Sequence, residues 1–430
     1  MITFTTREDP FIREKYRTGT HESGIRIIVI KKKIPAFSAC VCVDFGARDL
    51  EYVSGGERFT LPPGTAHFLE HKMFEDPDGC DYMQRFEQLG GFANAYTSYR
   101  GTSFVCSGTR EVYKNLGILL ESVSSAHFTA ASVARERDII KREIVMYEDL
   151  PEDAAGQELL RMLYREHPLT KPISGTAGSV GRIGKATLAR AFREFYVPSN
   201  MVLVVSGNVE EEAVAAEVEK VFGGRQPGER PETIIKPEPD GTVRKIKTAR
   251  GSVATPIYAF GVKCAPAQGS GLEAVRHAQA MQAAVSLAFG RASDFYCRNY
   301  AEGIINERFY ARYSHADGAA YLCFSGSGNE PERVAGLILE ELSRRRGLPF
   351  PERDFLREKK AAYAESLMLF DSPDDVASAF AASAFLGYDL YGQFESLRAL
   401  NYEEVNSALA GADLSAHSLS IIKPNQERGN

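Results

Sequence analysis

Residues 62–76 read PPGTAHFLEHKMFED, and the core of this stretch is His67-Phe68-Leu69-Glu70-His71. Pro62, Pro63 and Gly64 suit the approach to a helix that begins near Thr65. Four helical residues turn about 400°, so His67 and His71 stand about 40° apart around the axis, with Glu70 about 60° to the other side of His67. The three polar side chains then share one face, while Phe68 and Leu69 point elsewhere and can pack the helix onto a sheet. Two imidazoles one turn apart can bind one Zn2+. A carboxylate beside them can reach a water and take its proton. The plain alternative is a solvated helix face with no chemistry.

If Glu70 is the base, a zinc site here lacks a third protein ligand. The stretch 131–149, ASVARERDIIKREIVMYED, supplies the candidate. Val133, Ile139, Ile140, Ile144 and Val145 make a helical pattern, and Glu136 and Glu143, seven residues apart, share a face. Glu143 is the expected third ligand. Glu136 is expected just behind the metal, orienting a histidine or holding the water.

Around these two stretches the chain is ordinary globular protein. Its 430 residues suggest two to four domains or lobes, and 44% hydrophobic with 25% charged residues excludes a mostly disordered chain. A net charge of -6 argues against nucleic-acid binding by phosphate neutralisation. No apolar run approaches the roughly 20 residues of a membrane span. The first ten residues, MITFTTREDP, have no signal-peptide pattern. The cysteines Cys40, Cys42, Cys80, Cys106, Cys264, Cys297 and Cys323 are odd in number and form no C-x-x-C, so they are expected as reduced thiols in a cytoplasmic protein.

Prolines 227, 231, 237 and 239 mark residues 223–241 as a linker. It divides a first lobe, 1–222, which carries the motif, from a second, 242–430. Strand-like segments at 25–31, 38–45 and 201–206 frame the first, and 253–263 and 418–423 frame the second. The shared order of elements predicts an α+β protein of two homologous lobes, each an antiparallel sheet with helices packed on one side. One large α+β domain with an irregular loop is the alternative.

The H-x-x-E-H pattern resembles that of the pitrilysin/insulinase zinc peptidases, the inverzincins, which include the mitochondrial processing peptidase and small bacterial relatives. The likeness extends to Gly90-Gly91-Phe92-Ala93-Asn94-Ala95-Tyr96-Thr97, to Glu136 through Ile144, to His167-Pro168 with Ser174-Gly175-Thr176, and to Tyr196 through Met201 followed by Gly207-Asn208-Val209. It is specific over about residues 20–210 and one of pattern and length beyond. The resemblance implies a zinc metalloendopeptidase with one Zn2+ per chain, held by His67, His71 and Glu143, with Glu70 as general base and Glu136 at the family's other acidic position. It also implies that Asn94 and Ala95 lie on an edge strand where a short or unstructured peptide adds in extended form. A turn residue after Gly90-Gly91 is the plainer view of Asn94.

The pattern departs from the family in the second lobe. Active members use an arginine–tyrosine pair there, or in a partner's second lobe, which binds substrate and stabilises developing charge. Aligning Gly303 places Asn306 where the tyrosine is expected. Arg298 is near the arginine's place, and neither Tyr300 nor Tyr310 has the expected spacing. The resemblance therefore implies a dimer, either of identical chains or a heterodimer in which a homologous subunit supplies the pair. A catalytically silent or partner-dependent subunit is the rival expectation. His21, His127, His277, His315 and His417 are isolated and read as structural.

Overall fold

The computed structural model describes residues 2–75, 81–267 and 269–425, so Cys80 lies outside the described residues. The chain forms two compact units. The first comprises Met1–Ile144, Pro172–Ile234 and Leu367–Tyr391; the second comprises Val145–Lys171, Ile235–Ser366 and Gly392–Asn430.

The first unit is built on a seven-stranded sheet in the order Thr5–Asp9, Glu14–Thr20, Arg26–Lys31, Met201–Gly207, Phe37–Val43, Thr102–Gly108, Gly91–Thr97. All neighbours are antiparallel except Arg26–Lys31 and Met201–Gly207. MVLVVSG and FSACVCV are rich in β-branched and small apolar residues, and every residue of both strands is buried. Successive strand residues face opposite sides, so both faces of the sheet centre are covered. The helix Pro373–Ser383 packs on these two strands through a buried set that includes Val376, Ala377, Phe380 and Ala381. An aromatic cluster anchors the core, with Phe45 stacked on Phe195 at 4.1 Å.

The second unit has five strands in the order Ile246–Gly251, Ala412–Pro424, Ile257–Cys264, Ala319–Ser327, Tyr310–Ala316, with only the first pair parallel. The last five strands of the first sheet have the same connectivity. In each, the first and last strands of the repeat pair in parallel, followed by the second, fourth and third. The internal repeat suggested by element order is thus a repeat of topology.

Each unit also takes one helix from the other half of the sequence. Pro151–Leu163 packs against Ile257–Cys264 and Ala412–Pro424, where Gly261 leaves room for it: a Cβ there would stand 2.7 Å from Leu163 Cδ1. The proline-rich stretch is tied down at both ends. Glu232–Thr233 pairs with Glu51–Ser54, and the Glu238 carboxylate accepts the backbone N–H groups of Arg165, Glu166 and His167.

Candidate metal centre

The motif helix spans Thr65–Lys72. Thr65 Oγ1 donates to the Pro62 carbonyl at 2.6 Å, and Gly64 enters the helix at φ 92°, a conformation that disfavours a side chain. A Cβ on Gly64 would stand 2.5 Å from the Ser174 carbonyl oxygen, and one on Gly175 2.4 Å from that of Pro63. The two loops therefore touch through bare backbone. Phe68 and Leu69 are fully buried, which turns His67, Glu70 and His71 to the half-buried side.

The second contributing helix is Ala130–Glu148. It starts at Thr129, whose hydroxyl accepts the Ser132 N–H at 3.0 Å. Val133, Ile140 and Ile144 form its buried stripe. Glu136 and Glu143 lie along that stripe, so burying the apolar residues brings both carboxylates to the histidines.

His67 Nε2 lies 3.5 Å from Glu143 Oε1, and His71 Nε2 lies 3.4 Å from Glu143 Oε2. These separations are long for hydrogen bonds. They match the edge of a tetrahedron of donors about 2.0–2.2 Å from one zinc ion, which is about 3.3–3.6 Å. One donor atom from each of His67, His71 and Glu143 falls within 4.8 Å of the others. His71 Nδ1 is 2.9 Å from Glu136 Oε1. In that contact Nδ1–H donates to the Glu136 carboxylate, which leaves Nε2 to face a metal. His67 Nδ1 is buried with no hydrogen-bond partner among the described residues.

The charges are unbalanced towards the acids. Burial pulls His71 down, but its hydrogen bond to Glu136 and the facing carboxylates of Glu143 and Glu70 push it up to about 9. The His67 and His71 imidazoles facing Glu143 hold it down at about 2, against burial, and the hydrogen bond from His71 holds Glu136 below its ordinary range. Three carboxylates around two imidazoles favour a cation here, and the donor types suit zinc.

Glu70 accepts a hydrogen bond from Thr97 Oγ1 at 2.6 Å. Thr97 ends the edge strand Gly91–Thr97, which also carries Asn94, exposed, and Ala95, half-buried. The Asn94 side-chain oxygen accepts the Ala95 N–H at 2.9 Å. Two residues near the site carried no role in the sequence argument. One is Thr97, whose only signal was its place three residues after Asn94. The other is Lys72, which is 1% exposed and ion-paired with Glu75. Its neighbourhood to His71 was the available signal, but nothing in the sequence shows that it is buried.

In the second unit Arg298 is exposed on the helix Asp294–Ala301, and Tyr300 stacks on Tyr296 with ring centroids 5.6 Å apart. Asn306 Nδ2 donates to the Ser327 carbonyl at 3.0 Å, so it braces a strand end. Tyr310 is exposed at the start of the edge strand Tyr310–Ala316. Elsewhere, His21 sits near Glu22 and Glu219, but both its ring nitrogens are engaged, by Ser23 at 2.8 Å and Glu219 at 2.9 Å. His167 Nδ1 accepts the Leu169 N–H and caps the turn Pro168–Thr170. Among the described residues no helix is long and apolar enough to cross a membrane.

Comparison with known proteins finds relatives of this chain. The sequence profile of the insulinase family, peptidase family M16, matches residues 52–177, and that of the M16 inactive domain matches residues 182–362. The first match contains His67, Glu70, His71, Glu136 and Glu143, and the second contains none of them. The uncharacterized zinc protease YmfH of Bacillus subtilis is 31% identical over 406 residues, covering 93% of this chain and 94% of its own. An M16-like peptidase of Alicyclobacillus acidocaldarius superposes with a TM-score of 0.90 at 29% identity, over 99% of both chains. A protease of Helicobacter pylori shares the fold at a TM-score of 0.81 and 18% identity, over 96% of this chain and all of the other.

Proposed function

The chain belongs to the insulinase peptidase family M16, and from that premise we propose that it is a zinc-dependent endopeptidase acting on short or unstructured peptides. The observation that carries this reading is the convergence of His67, His71 and Glu143 at zinc-ligand spacing, with Glu70 beside them. His67 Nε2, His71 Nε2 and the Glu143 carboxylate would hold one Zn2+ per chain. When bound, the ion would supply Lewis acidity, polarising the scissile carbonyl and acidifying a water. Glu136 holds His71 in the tautomer that leaves Nε2 free. Glu70 takes the proton of the attacking water and later delivers it to the leaving amine. Asn94 and Ala95 receive the peptide backbone along the edge strand, where main-chain hydrogen bonds tolerate varied sequences.

Asn306 bonded to Ser327 favours a companion reading, in which the arginine–tyrosine pair comes from a homologous subunit of a dimer. The test is zinc stoichiometry together with cleavage of a quenched unstructured peptide, on the chain and on Glu70→Gln. One zinc per chain with cleavage lost in the variant supports the mechanism in the isolated chain. One zinc without cleavage by the unaltered chain points to the companion subunit, which is then added. A folded chain that binds no zinc in metal-replete buffer overturns the ligand assignment.

A further inference from the structure

We propose that Thr97 is a positioning residue that aims the Glu70 carboxylate, so that the strand seating the peptide also orients the base. This rests on the reading of Glu70 as the general base. Thr97 has one hydroxyl proton and two acceptors in reach, Glu70 Oε2 at 2.6 Å and Thr102 Oγ1 at 3.3 Å. Thr102 is fully buried and commits its own proton to the Phe45 carbonyl at 2.8 Å. It therefore cannot donate to Thr97 and can only compete for the Thr97 proton. A carboxylate at the shorter distance outcompetes a neutral hydroxyl at the longer one. The Thr97 proton goes to Glu70.

The donor is rigidly held. Thr97 and Thr102 are directly paired across the hairpin of Gly91–Thr97 and Thr102–Gly108. The turn between them closes with Ser98 N–H on the Gly101 carbonyl at 2.8 Å and Gly101 N–H on Ser98 Oγ at 3.0 Å. Phe45, which receives the Thr102 proton, is locked against Phe195. One carboxylate oxygen of Glu70 is thus pinned to a fixed frame. Oε1 is then the oxygen left to receive a proton. Glutamate has three side-chain torsions, and a free carboxylate would sample several directions. Pinning Oε2 removes that freedom before the substrate arrives. Asn94 and Ala95 lie three and two residues away on the same strand, which ties the seat of the peptide to the aim of the base.

Thr97→Val removes the hydroxyl at nearly constant volume, and Thr97→Ser restores it. Each full-length variant is assayed for zinc content, for kcat and KM on the quenched peptide, and crystallographically for the Glu70 conformer. We expect Thr97→Val to keep its zinc and its KM while kcat falls about tenfold to a hundredfold, the scale of a misaimed catalytic group. Glu70 then occupies more than one rotamer, and Thr97→Ser recovers both kcat and the single conformer. Unchanged kcat in Thr97→Val, or a single unshifted Glu70 conformer in it, overturns the proposal. If Glu70→Gln still cleaves, the reading of Glu70 as base falls; if the unaltered chain binds zinc but is silent, kcat and KM are read with the companion subunit added. The conformer measurement still decides whether Thr97 holds that carboxylate.

Discussion

Replacing Glu136 tests whether the carboxylate behind His71 contributes to metal affinity without touching the metal. Its Oε1 sits 2.9 Å from His71 Nδ1 in a half-buried setting, and the hydrogen bond keeps Glu136 ionised. Three things are lost with Glu136→Ala. The proton on Nδ1 loses its acceptor, so the imidazole is no longer held in the tautomer that presents Nε2. The ring loses its orientation. The electron release that makes Nε2 a stronger donor disappears. Removal of such partners typically weakens metal binding about tenfold to a hundredfold, or about 1.4–2.7 kcal/mol. Because His67 has no comparable partner on its Nδ1, the loss cannot be shared between the two rings, and we expect Glu136→Ala near the upper end. Glu136→Gln keeps a carbonyl acceptor but not the charge, and we expect it near the lower end. Zinc affinity is measured by competition with a chelator of known affinity at fixed pH, alongside circular dichroism to certify the fold. Equal affinity for the alanine variant and the unaltered chain would refute the reasoning.

Three further outcomes follow from the same structure. Chelation should abolish peptide cleavage and added zinc should restore it, whereas Glu143→Ala should remain depleted in zinc at concentrations that saturate the unaltered chain, as measured by metal analysis after gel filtration. Gly64→Ala should lower the unfolding free energy measured in urea by about 1–2 kcal/mol from its left-handed backbone alone, plus the clash with Ser174; Gly55→Ala, at φ +56 with open space around it, carries only the first cost and serves as the comparison. Leu159→Ala, in the helix lent to the second sheet and only 1% exposed, should cost about 2–5 kcal/mol in chemical denaturation, and a cost near zero would mean that this helix does not pack there.

The candidate site was legible because its parts are local. His67, Glu70 and His71 share a face by helix geometry alone, and so do Glu136 and Glu143, whatever the rest of the chain does. The repeat was legible as an order of elements because β-branched runs such as MVLVVS announce central strands. Thr97 and Lys72 were not. Thr97 reaches Glu70 only because a strand 27 residues away in sequence lies at the sheet edge beside the motif helix. A hydroxyl in a strand looks the same whether it meets solvent or a carboxylate. Lys72 has the composition of a surface residue, and only packing puts it inside.

The division into units shows the same limit. A linker can be read from its prolines, but the sequence-contiguous lobes 1–222 and 242–430 say nothing of which sheet each helix joins. Pro151–Leu163 and Pro373–Ser383 are amphipathic or apolar segments that would bury their faces against any suitable sheet. Which sheet they cover depends on where a cavity is left, as at Gly261. Short-range chemistry is written in residue spacing, because covalent geometry and helix period set which side chains can meet. Long-range choices depend on shape complementarity between surfaces that exist only after the elements have formed.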